Sequence, residues 1–142
     1  MLYEAKVLDI NPNEYEGCVF LEVRGERIKC SYMAPCDFAV TYLKRSDKVV
    51  VDLWLSYAED NLEVVRSTTM FFDNKTMIAG GEIQGRIETI LASRSLRINC
   101  GNLMFDVAVR KTSPFKEAEY VKASGTYQVF FPNTEYSYEE IG

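Results

Sequence analysis

Apolar residues fall on every second position through most of this chain of 142 residues, and that period fixes the dominant element before anything else. A period of two sends successive side chains to opposite faces, as a strand does, whereas a helix needs a period near 3.6. Val19, Leu21 and Val23 alternate with Cys18, Phe20 and Glu22, and Ile28, Cys30 and Tyr32 alternate with Arg27, Lys29 and Ser31. Arg24-Gly25 between them is a tight hairpin turn, with glycine supplying positive φ. Strands are expected over Tyr3 to Ile10, Gly17 to Arg24, Glu26 to Tyr32, Lys48 to Tyr57 and Leu62 to Arg66. Lys48 to Tyr57 is apolar on both faces, which suits a central strand. Asp37 is placed to cap a short helix over Phe38 to Lys44.

A second set of elements follows in the same order: Gly81 to Leu91, Arg94 to Cys100, a Gly101-Asn102 turn, and Leu103 to Val109. A shift of 77 residues lays Val19, Leu21 and Val23 on Leu96, Ile98 and Cys100, and Ile28, Cys30 and Tyr32 on Phe105, Val107 and Val109. A shift of 78 lays Val49, Val51 and Leu53 on Tyr127, Val129 and Phe131, and one of 80 lays Val7 and Ile10 on Ile87 and Ile90. Thr112 to Ala123 takes the place of the first half's helix. The match is of hydrophobic phase and turn position, not identity, so duplication and chance recurrence both stay open.

In each half the order of three strands, a helix or loop and two more strands resembles that of an OB fold, a small Greek-key barrel. The expected fold is all-β, with two packed OB-like halves and one or two short helices. The first half spans residues 1–66, an ordered connector 67–80, and the second half 81–142. Halves of this size have marginal separate cores, so they are expected to pack together or to share one sheet.

Composition then narrows the chemistry. The chain contains no histidine, which removes Ser-His and Cys-His nucleophile pairs, an imidazole base and every histidine-containing zinc site. Cys18, Cys30, Cys36 and Cys100 stand at wide spacings without a C-x-x-C pair, so no metal site and no cofactor are expected. With 16 Lys and Arg against 21 Asp and Glu, the net charge of −5 works against bulk attraction to polyanions. No run of apolar residues reaches the roughly 18 needed to span a membrane, and a cytoplasmic location without membrane partners is expected.

Alternation places Phe20, Arg24, Arg27 and Lys29 on the outer face of the first hairpin, and Arg94, Arg97, Met104 and Arg110 on that of the second, with Lys111 adjacent. Basic groups around an aromatic are what a single nucleic-acid strand requires, although most such faces are merely solvated. Trp54 shares its side with Val50 and Asp52. That pair of apolar residues, Val50 and Trp54, either packs against the other half or forms an interface. Carboxylates are scattered, with Asp9 near a strand end, and no catalytic pair stands out.

The sequence therefore describes a binding or assembly module, not an enzyme, acting through a protein partner or a homo-oligomer. The alternative is single-stranded nucleic acid held across the two basic faces, and a third class is an enzyme using carboxylates or lysine.

Overall fold

In the computed structural model, residues 1–34, 39–43, 48–74, 78–92, 94–110 and 114–132 are described. Among these residues ten strands form one sheet: β1 (Leu2–Pro12), β2 (Glu16–Val23), β3 (Glu26–Met33), β4 (Lys48–Ser56), β5 (Glu63–Val65), β6 (Phe71–Phe72), β7 (Gly80–Ala92), β8 (Ser95–Asn99), β9 (Met104–Ala108) and β10 (Tyr120–Phe130). The strand order is β5-β10-β3-β2-β1-β4-β9-β8-β7-β6, and β10 pairs in addition with β4 and β7.

Those extra pairings close the sheet. Eight strands make the perimeter of a barrel, and the β4–β10 ladder crosses it, dividing it into two OB-like rings. The first ring runs β1-β2-β3-β10-β4, with β10 parallel to β3 through Gln128↔Ser31 and Val129↔Tyr32. The second runs β7-β8-β9-β4-β10, with β4 parallel to β9 through Trp54↔Asp106 and Leu55↔Val107. Each ring is thus closed by a strand that also belongs to the other. The two halves share one sheet, so neither ring has a complete wall of its own.

The hairpin at the head of the first ring follows from local chemistry. Arg24 and Gly25 both adopt positive φ, 51° and 80°, the conformation that a two-residue turn needs to match the twist of its strands. Glycine is required again at Gly125, where β10 leaves β7 for β4. A Cβ at Gly125 would lie 2.1 Å from the Ser56 carbonyl oxygen, so only a hydrogen fits beneath the end of β4.

One apolar core runs through both rings. Val19, Leu21, Val23, Ile28, Cys30 and Tyr32 fill the first, and Leu96, Ile98, Phe105 and Val107 the second. Phe105 stacks on Tyr127 at 5.2 Å between ring centroids, and Tyr32 meets Phe131 edge-on at 6.1 Å, so β10 and the residue after it join the two fillings.

Three expectations shift. The region expected as a helix over Phe38 to Lys44 is a π-helical turn over Ala39–Leu43; Asp37, Phe38 and Lys44 lie outside the described residues. Five residues with neither an acidic first turn nor a basic last turn lack the length and the end charges that sustain an α-helix. Where a second helix or loop was expected, β10 already begins at Tyr120, because Val121 and Ala123 continue the inward phase of Tyr127 and Val129. Phe71–Phe72, placed in the connector, adds a short strand on β7 through Phe71↔Gln84 and Phe72↔Ile83.

Candidate functional site

The outer face of β1, β2 and β3 carries three cross-strand rows. Lys6, Glu22 and Arg27 form one, Asp9, Phe20 and Lys29 the next, and Asn11, Cys18 and Ser31 the third. The middle row exists because of a bulge. Val7 pairs with Leu21, but Asp9, not Leu8, pairs with Phe20, so the register slips by one residue and Asp9 turns outward beside the aromatic ring. Its Oδ1 then accepts the Ile10 backbone N–H at 2.9 Å, which holds the carboxylate in place.

Around these rows lies an open groove of about 590 Å³, within the range of small-ligand sites. Phe20 is half-buried at its centre, with Arg27 and Lys29 on one side and Asp9 and Asn11 on the other. Ile10, Cys18 and Val19 complete the lining. Among the described residues neither Arg27 nor Lys29 takes part in an ion pair, although Glu22 and Asp9 stand close by in the same rows.

The second ring repeats the bulge but fills the matching row differently. Thr89 follows a register slip after Ile87 and pairs with Arg97, and Arg97 in turn faces Asp106. Where the first ring has phenylalanine beside lysine, the second has an ion pair. Arg97 donates from Nε and Nη2 to Asp106 at 2.9 and 3.2 Å, and Asp106, only 3% exposed, also accepts the Met1 α-ammonium at 2.6 Å. The same ammonium bonds Asp52 at 2.6 Å. Hydrogen bonding to Asp106 pushes the Arg97 pKa still further up. Nearby, the Asn99 amide, helped by Arg86, holds the Glu88 carboxyl below its ordinary range.

The candidate residues therefore separate. Phe20, Arg27 and Lys29 converge on the groove. Arg24 sits at the hairpin tip, its guanidinium 5.6 Å over the Tyr3 ring and bonded to the Asn102 carbonyl at 3.4 Å. Arg94 is exposed in the β7–β8 turn, Met104 is half-buried and donates its backbone N–H to the Tyr3 hydroxyl, and Arg110 pairs with Asp60 at 2.8 Å. Lys111 lies outside the described residues. Val50 and Trp54 are half-buried on the outer side of β4, with Trp54 edge-on to Phe130 at 6.5 Å.

Sequence reasoning missed Asp9, Ile10 and Asn11 as site residues. A signal was present, since Val7 and Ile10 are both apolar three residues apart, and period two breaks between them.

The chain matches no family model, and no curated relative matches it. A search of solved structures does find a likeness, to ModG, a cytoplasmic molybdate-binding protein solved with molybdate bound. The two share 12% identity, with 93% of this chain and 96% of that chain covered at a TM-score of 0.50. The likeness supports the small-barrel, OB-like architecture. No helix of the described residues is long and apolar enough to cross a membrane.

The comparison corrects the expectation about partners. A protein partner, a homo-oligomer or single-stranded nucleic acid was expected, with no membrane and no metal; ModG binds molybdate, a small oxyanion of a metal. The absence of spaced histidines and cysteines excludes a bare cation held by such ligands. It does not exclude a metal carried inside an oxyanion, which is recognised through its oxygens.

Proposed function

We propose that this chain is a non-catalytic binding module that takes a small anionic ligand in the β1–β2–β3 groove. The observation that carries the reading is the pair Arg27 and Lys29, two cations without ion-pair partners among the described residues, beside the half-buried ring of Phe20. A guanidinium offers a planar fork of donors and an ammonium a compact charge, and together they suit a tetrahedral oxyanion. The likeness to molybdate-binding ModG supports an oxyanion as the class of ligand.

This reading departs from assembly through Val50 and Trp54, because the Trp54 ring already has Phe130 of the same chain against it. It departs also from a strand laid across both hairpins. Among the described residues Asp106 and Asp60 pair with Arg97 and Arg110, which lowers the positive charge that the second face offers a long polyanion. Titration calorimetry with sodium molybdate and with sodium orthophosphate tests the proposal. Saturable binding that weakens with added salt supports it; an absence of heat at low ionic strength refutes it.

A further inference from the structure

The groove is more than a cationic patch. Phe20 lies between Asp9 on β1 and Lys29 on β3, so an aromatic face is flanked by a hydrogen-bond acceptor on one side and a cation on the other. Oδ1 of Asp9 is engaged by the Ile10 N–H, and Oδ2 has no hydrogen-bond partner among the described residues. An inorganic oxyanion would use Arg27 and Lys29 but would leave the Phe20 face empty and would gain nothing from Asp9. A ligand that satisfies all four groups needs a flat ring to stack on Phe20, an amine donor on the edge facing Asp9, and an anionic group on the opposite side.

We infer that the groove takes an amino-bearing nucleoside monophosphate, with the base stacked on Phe20, its exocyclic amine donating to Asp9, and its phosphate held by Arg27 and Lys29. The inference rests on the anion-binding reading of the same groove and names the organic part of the ligand. Base stacking on an aromatic side chain is a sequence-tolerant source of affinity, and a carboxylate accepting from a cytosine amine is the geometry by which Asp and Glu select that base. The bulge at Leu8 is then a functional feature, because without it Leu8 instead of Asp9 would stand beside Phe20.

The test is titration calorimetry of the full chain with cytidine 5′-monophosphate, uridine 5′-monophosphate and sodium orthophosphate, on the wild type, Asp9→Asn and Phe20→Leu. Circular dichroism monitors folding. The cytidine nucleotide should bind about tenfold more tightly than orthophosphate, the contribution expected of one stacked base. It should also bind about fivefold more tightly than the uridine nucleotide, whose carbonyl opposes the Asp9 carboxylate. Asp9→Asn should erase the difference between the two nucleotides, and Phe20→Leu should bring both nucleotides down toward orthophosphate. Equal affinity for the two nucleotides in the wild type, or a nucleotide no tighter than orthophosphate, overturns this inference while the anion-binding reading stands. Absence of binding by all three overturns both.

Discussion

Arg97 of β8 and Asp106 of β9 are cross-strand neighbours in the second ring, with both guanidinium contacts at 3.2 Å or less and the carboxylate withdrawn from water. Cutting a buried pair on one side is far more costly than replacing the pair, because the surviving charge keeps its desolvation penalty. Arg97→Ala, which leaves the withdrawn Asp106 carboxylate behind, should therefore destabilise the fold by about 3 kcal/mol. Joint replacement of Arg97 and Asp106 by leucine should recover at least half of that loss. Urea denaturation midpoints of the two variants, measured at equal m-value, check the comparison.

The glycine that lets β10 serve both rings is a second point of leverage. Gly125→Ala places a Cβ against the Ser56 carbonyl oxygen, and that contact is backbone, which limits how far the strands can yield. Destabilisation of about 3 kcal/mol is expected, at the upper end for overpacking. Thermal denaturation followed by circular dichroism measures it, and a variant as stable as the wild type would show that the two ladders are not tightly coupled at this residue.

Buried thiols make stability fall in alkali. Burial pushes the thiols of Cys30 and Cys100 well above the ordinary value of 9.0, so the folded chain keeps both protons while the unfolded chain releases them. This contribution to stability is complete below pH 9 and declines as pH rises beyond it. Tyr127, whose phenol is raised mainly by burial and donates to the Asp73 carbonyl at 2.6 Å, steepens the decline from its own ordinary value of 10.0 upward. A Cys30→Val, Cys100→Val double variant should show a flatter loss of melting temperature between pH 8 and pH 10 than the wild type.

Much of the architecture was legible because strand period and turn chemistry are local. The inward sets Val19, Leu21, Val23 and Ile28, Cys30, Tyr32 are all buried, and the Arg24-Gly25 turn lies where its glycine predicts. What stayed hidden was long-range. Nothing near Gln128 announces that it sits beside Ser31 on one edge and Trp54 on the other, and that double pairing is what closes the first ring. The site divides in the same way. Phe20, Arg27 and Lys29 share a face through alternation within one hairpin, so they could be grouped from spacing alone. Arg97 had the same outward phase, but its capture by Asp106 depends on cross-strand register, and Asp9 reaches the groove only through a bulge. The lesson of the second ring is that an outward basic residue is free for a ligand only when the neighbouring strand offers it no carboxylate.

Substitutions in the groove should act on binding and spare the fold. Arg27 is exposed and Lys29 half-buried, and neither takes part in an ion pair among the described residues, so Arg27→Ala and Lys29→Ala should each change stability by no more than about 0.5 kcal/mol. Thermal shift without ligand checks this; a loss several times larger would mean that the two side chains serve the barrel and not a ligand.

Whether those two cations hold an anion decides what the groove does. Calorimetric titration of the wild type and of the Arg27→Ala, Lys29→Ala double variant with sodium molybdate and sodium orthophosphate, in buffer free of other oxyanions, measures this directly. The predicted result is one saturable site in the wild type, weakened by added salt and reduced at least about tenfold in the folded double variant, as expected when charge-assisted hydrogen bonds are removed. Equal affinity in the two proteins, or no binding by the wild type at low salt, would contradict it.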